Sequence, residues 1–171
     1  MDRHSILLEN FFNNFKSLEP EFKKIELHSR EWHEQRQGHE LYWPGKRSEK
    51  LSVVSPFLHE LIRLNLLYHL GYLPYFQTNW TFEGYLHLKT ENDNKGESIH
   101  RDPSAYSGMI YLTDSTLGET CLFDERDNPT VRVYPVKNRL FLFPGDVDHG
   151  AINNYGDNID NGRLNLILFF Y

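Results

Sequence analysis

The spacing of apolar and polar positions changes character once along the chain. Up to about Gly71 it is irregular, with stretches of helical period; from Trp80 onward it alternates with a period of two. In the first part, Ile6-Leu7-Leu8 reads either as a strand or as the start of a helix running on through Phe15. Trp43-Pro44-Gly45-Lys46 is a turn signal. Ser55-Pro56 is a helix start, with serine at the N-cap and proline at the first helical position. Phe57, Leu58, Leu61, Ile62, Asn65 and Leu66 then share one face, and Gly71 ends the helix. Such a helix is expected to pack on the outside of a sheet.

The period of two predicts strands over 85–89, 98–102, 107–113, 120–123, 130–136, 139–143, 148–153 and 163–170. Turn residues separate them: Asn92-Asp93-Asn94, Asp127-Asn128-Pro129, Pro144-Gly145-Asp146 and Asn161-Gly162. Short strands at such close spacing imply a β-sandwich or a jelly roll. Repeats, low-complexity tracts and linkers are absent from the sequence, and 171 residues suit one domain, 1–171, with a β core over about 80–171 and a helical support over about 1–79.

Composition narrows the function classes. The net charge of −6 argues against nucleic acid as a partner, since phosphate binding needs a clustered basic surface. The densest basic stretch, Lys46-Arg47-Ser48-Glu49-Lys50, contains an acid and reads as a solvated loop. A single cysteine, Cys121, excludes an internal disulfide, fits a reducing and hence cytoplasmic setting, and reads as a small core residue. The start of the sequence lacks the basic-then-apolar pattern of a signal peptide. The apolar stretch 57–70 is interrupted by His59, Glu60, Arg63, Asn65 and His69 and cannot span a bilayer. Asn79-Trp80-Thr81 matches a glycosylation sequon, an accidental match in a chain without an export signal.

Three features carry candidate chemistry. In His100-Arg101-Asp102, alternation on a strand turns His100 and Asp102 to one face and Arg101 to the other. Taken alone, this tripeptide followed by Pro103 also reads as an exposed turn. His149 follows the apolar strand and turn Phe141-Leu142-Phe143-Pro144-Gly145-Asp146. It can close a 2-His-1-carboxylate site, the arrangement of non-haem Fe(II) oxygenases, which leaves metal positions open. Arg163 heads the otherwise nearly all-apolar run 164–170, so it is either a rim residue reaching solvent or a buried fork clamping a carboxylate.

In this order, His100-x-Asp102, Ile110-Tyr111-Leu112, Gly118-Glu119-Thr120, Phe143-Pro144-Gly145, His149 and Arg163 resemble the 2-oxoglutarate/Fe(II) dioxygenase superfamily, above all its prolyl-hydroxylase-like branch, over residues 80–171. The resemblance implies a mainly β, double-stranded β-helix (jelly roll) with a few packing helices in the N-terminal part. It implies Fe(II) held by His100, Asp102 and His149. It also implies that Arg163 and Tyr111 bind the distal carboxylate of 2-oxoglutarate, with O2 as second co-substrate and ascorbate as reductant. The implied activity is hydroxylation of a peptidyl residue or of a small molecule. Three departures stand out: the polar loop 153–162 lengthens the gap before Arg163, Asn165 replaces a serine, and Leu117 replaces the first of two glycines.

Other positions rank lower. Tyr85 and His87 share a strand face and are expected in core or rim packing rather than in the pocket. Thr120 is a candidate neighbour of the co-substrate, and Trp43 with the Pro44-Gly45-Lys46-Arg47 loop a candidate cover for the site mouth. Two other readings stay open: a cupin-type metal enzyme without 2-oxoglutarate, for which Arg163 has no role, and a metal-free jelly-roll binding module.

Overall fold

The structure, a computed structural model, describes residues 4–41, 43–76, 80–93 and 99–171. Among the described residues, ten strands form two antiparallel sheets: β1 (Ile6–Leu8), β2 (His28–Ser29), β3 (Lys46–Arg47), β4 (Phe82–Lys89), β5 (Tyr106–Tyr111), β6 (Thr120–Phe123), β7 (Pro129–Val133), β8 (Leu140–Pro144), β9 (His149–Ala151) and β10 (Arg163–Phe170). The major sheet runs β1-β8-β5-β10-β4-β3-β2 and the minor sheet β7-β6-β9. Four helices accompany them, α1 (Phe15–Lys23), α2 (Arg30–Gln37), α3 (Leu51–Val54) and α4 (Pro56–Leu70). The mainly β jelly-roll architecture with few helices is the one expected.

Alternation along β10 sets the two faces of the major sheet. Leu164, Leu166, Leu168 and Phe170 join a large outer core with Leu86, Leu88, Ile110, Leu140 and Leu142. Against it lie Leu58, Ile62, Leu66 and Leu70 of α4, each four residues from the last on one helical stripe. Each such fully buried side chain contributes about 1.5–3 kcal/mol. The other face of the sheet looks toward the minor sheet. There Met109, Tyr111, Leu122, Val133, Phe141 and Phe143 form a second, smaller core.

Several expectations need correction. Ile6-Leu7-Leu8 is a strand and pairs with β8, so the N-terminal part supplies three strands of the major sheet as well as helices. Phe57 is 67% exposed, off the buried stripe of α4, and Ser55 sits at the N-cap without a side-chain cap bond. No strand forms over 99–102; His100 makes only an isolated bridge with His149, because Pro103 cannot donate to a ladder. The basic stretch at 46–50 is not a solvated loop: Lys46 and Arg47 pair with Leu88 and His87 of β4. Ser98, Asn94 and Asn79 lie outside the described residues, and with them parts of the expected strand 98–102, one turn and the sequon. No helix among the described residues is long and apolar enough to cross a membrane.

Candidate metal centre and adjoining cavity

A cavity of about 330 Å³ opens between the two sheets. His100, Asp102 and His149 meet in its wall, with one possible ligand atom from each lying within 4.8 Å of the others. Backbone pairing brings them together. His100 N–H donates to His149 O at 3.0 Å, and His149 N–H donates to His100 O at 2.9 Å. Asp102 N–H donates to Gly145 O at 2.8 Å. Gly145 is required by close approach, since a Cβ there would lie 2.1 Å from Ser104 O. Arg101 points away and forms a two-pronged exposed bond to Asp148 at 2.9 and 2.6 Å.

The donor set suits a divalent metal. His149 Nδ1 lies 2.9 Å from Val147 O, which places the proton on Nδ1 and leaves the Nε2 lone pair free for a metal. That Nε2 is 3.2 Å from one Asp102 oxygen, and His100 Nε2 is 3.9 Å from the other. Ser107 Oγ donates to Asp102, and Ser104 Oγ touches Ser107 Oγ at 2.9 Å. Burial alone would raise the Asp102 carboxyl; the facing His149 imidazole and the hydrogen bond from Ser107 outweigh it and hold the group below the usual carboxylate range. His100 is the exposed member, with 53% of its side chain accessible against 7% for His149.

Arg163 is buried in the same cavity wall, 3% exposed. The long loop before it does not shift the register, because Arg163 pairs with Lys89, and Asn165 with His87 on one side and Tyr111 on the other. The loop closes on itself through Asn161 Oδ1, which accepts from Asp157 N–H and Asn158 N–H. The guanidinium has only neutral partners among the described residues. Nε donates to Gly118 O at 2.9 Å and Nη2 to Thr120 Oγ1 at 3.0 Å. With the Asn165 amide turned to satisfy both of its neighbours, its oxygen accepts from Nη1 at 3.0 Å. A buried charge without a counter-charge is costly. The site therefore favours an incoming carboxylate.

Tyr111 faces inward by register but does not line the cavity. It is fully buried in the smaller core, and its hydroxyl donates to Thr120 Oγ1 at 2.7 Å. Burial pushes its pKa up to about 12. It touches Arg163 only through Thr120. Thr120 itself lines the cavity, and Cys121 is a fully buried core residue.

Other lining residues ranked low in the sequence. His87 lines the cavity, where packing away from the pocket was expected, and its Nε2 lies 2.6 Å from Pro44 O. Burial, reinforced by the charge of Arg47, holds it neutral, far below the ordinary histidine value. Trp43, Pro44 and Arg47 also line it, so the 43–47 segment does reach the site. Alternation could have flagged Arg47 had β3 been longer than two residues. Nothing in the spacing relates Ser107 to Asp102.

No protein-family model matches the chain, and no curated protein matches it in sequence. Solved structures do. HygX from Streptomyces hygroscopicus, with nickel, 2-oxoglutarate and hygromycin B bound, superposes at a TM-score of 0.70 with 12% identity, over 98% of this chain and 82% of that one. A 2OG-Fe(II) oxygenase-family oxidoreductase from Burkholderia pseudomallei gives 0.65 with 13% identity, over 97% and 83%. A prolyl-4-hydroxylase from Pseudomonas putida gives 0.60 with 17% identity, over 99% and 92%. The chain thus has the jelly-roll fold of 2-oxoglutarate/Fe(II) oxygenases, prolyl-4-hydroxylases among them.

Proposed function

We propose that this chain, read as one domain over 1–171, is a non-haem Fe(II), 2-oxoglutarate-dependent oxygenase. His100, Asp102 and His149 hold the iron in this reading, and Arg163 binds the distal carboxylate of 2-oxoglutarate. The observation that carries it is a buried arginine with only neutral partners in the same cavity as a His-Asp-His cluster. A cupin-type enzyme without 2-oxoglutarate would have no use for that charge.

When bound, Fe(II) and 2-oxoglutarate would supply the oxidising power, drawn from O2, to hydroxylate a substrate, with ascorbate keeping the iron reduced. The chain's own residues do the rest. Val147 O fixes the His149 tautomer, Ser107 orients Asp102, and Gly118 and Thr120 aim the Arg163 fork into the cavity. The substrate is a peptidyl residue, prolyl by likeness to the prolyl-4-hydroxylase, or a small molecule, by likeness to the hygromycin B-bound structure. The lone buried Cys121 suits a reducing, cytoplasmic setting.

Calorimetry with Mn(II), followed by 2-oxoglutarate, tests the reading. One metal ion should bind, then one 2-oxoglutarate. With Fe(II), ascorbate and O2, the protein should slowly form succinate. Asp102→Ala should lower metal affinity by more than the roughly 10–100-fold typical of losing an outer partner. A protein that binds metal but no 2-oxoglutarate would instead favour the cupin-type reading, and one that binds neither would favour a binding module.

A further inference from the structure

The cavity holds a second arginine that the co-substrate does not use. Arg47 reaches it by register: Arg47 pairs with His87, His87 with Asn165 and Asn165 with Tyr111 in one row across four strands, so all four face inward. Its guanidinium lies over the Trp43 ring at 4.5 Å and near the Tyr85 ring at 5.6 Å. Rings hold a cation in place but supply no hydrogen-bond acceptor in its plane. Nε is fully buried and has no hydrogen-bond partner, and no ion pair to Arg47 forms among the described residues. Burial pulls its pKa down to about 10 against the opposing charges of Tyr85 and Asp102, so the group stays charged at neutral pH. A charged group without a counter-charge in the fold is expensive, and where Arg47 lines the cavity an acceptor can reach its guanidinium.

The charge balance indicates what that acceptor is. Asp102, a divalent ion, Arg163 and the two carboxylates of 2-oxoglutarate neutralise one another. Arg47 is left over, and Lys89, which also lines the cavity, makes a contact of its own. We infer that Arg47 receives a carboxylate of the primary substrate, which is a compact carboxylic acid such as a free amino acid. A guanidinium packed between ring faces keeps its edge for a planar two-oxygen acceptor. The cavity of about 330 Å³ lies near the small end for ligand sites and must also hold 2-oxoglutarate, which leaves room for a compact molecule. This inference rests on the oxygenase reading.

The test is calorimetric titration of the Mn(II)- and 2-oxoglutarate-loaded protein with the proteinogenic L-amino acids and their carboxamides, with inorganic phosphate and sulfate alongside. At least one free acid should bind, and its amide at least about tenfold more weakly. Arg47→Ala should weaken the acid on the order of a hundredfold and leave 2-oxoglutarate affinity unchanged. Arg47→Lys should fall between, and circular dichroism confirms that each variant folds. The inference is overturned if no amino acid binds, if acid and amide bind alike, if phosphate or sulfate binds best, or if Arg47→Ala retains the parent's affinity. It is also overturned if Arg47→Ala abolishes 2-oxoglutarate binding, since Arg47 would then be the co-substrate clamp. The two readings fail separately. A parent protein that binds no 2-oxoglutarate sinks the oxygenase reading, whereas 2-oxoglutarate binding without an Arg47-dependent carboxylate sinks this one.

Discussion

His100 and His149 hold each other through a reciprocal pair of backbone hydrogen bonds, 3.0 Å from His100 N–H to His149 O and 2.9 Å in return. Residues distant in sequence thus form the narrowest possible ladder, a single bridge. Its consequence is that the imidazoles stand 4.4 Å apart, centre to centre, before any metal arrives. Ligand groups already assembled in the fold need little ordering when the ion binds.

Ser107→Ala removes the hydroxyl that donates to Asp102 and leaves the fold's hydrophobic contacts in place. Metal affinity should fall by about 10–100-fold, the usual effect of losing an outer partner of a ligand. Mn(II) titration of the variant measures it. An unchanged affinity would mean that Asp102 is oriented by its backbone alone.

Arg163→Ala and Tyr111→Phe should separate cleanly. Losing one partner of a buried charge pair costs about 3–5 kcal/mol, or roughly two to three and a half orders of magnitude in 2-oxoglutarate affinity. The Tyr111 hydroxyl bonds to Thr120 rather than pointing into the cavity, so its removal should cost about 1 kcal/mol and weaken 2-oxoglutarate less than about tenfold. Equal losses in the two variants would show that Tyr111 swings into the cavity when the co-substrate binds. Metal binding should survive both changes.

Gly118→Ala should harm stability and co-substrate binding together. Gly118 has φ +77°, and an added Cβ would lie 2.5 Å from the Tyr155 ring. Its carbonyl also accepts from Arg163 Nε. The strain is worth about 1–3 kcal/mol, visible as a lower midpoint in urea. Because the same peptide aims Arg163, 2-oxoglutarate affinity should drop even where the variant remains folded.

His87 should make the fold acid-sensitive. The folded chain keeps this imidazole neutral, while the unfolded chain takes up a proton near the ordinary value of 6.5. The unfolded state then binds more protons, so stability falls as pH drops below about 6.5 and is intact above it. Between pH 7.5 and 5.5 the loss from this one group is about 1 kcal/mol. Urea unfolding of the parent and of His87→Gln at both pH values should show that difference only in the parent.

The sequence by itself determined the β core over about 80–171 and most of the buried stripe of α4, because both follow from local periodicity. It left Arg163 at the head of β10 either at the rim or buried, and the register of that strand turns it into the cavity wall. Tertiary structure alone decided the rest. Whether His149 meets His100 depends on backbone bonds between distant segments, and whether Tyr111 reaches the cavity depends on Thr120 intercepting its hydroxyl. Arg47 is the clearest case. Its two-residue strand is too short to carry a period, and it sits in a stretch that is mostly charged, Lys46-Arg47-Ser48-Glu49-Lys50. Only pairing with His87 of β4 turns it inward, since one step of register sends a side chain to the opposite face of a sheet.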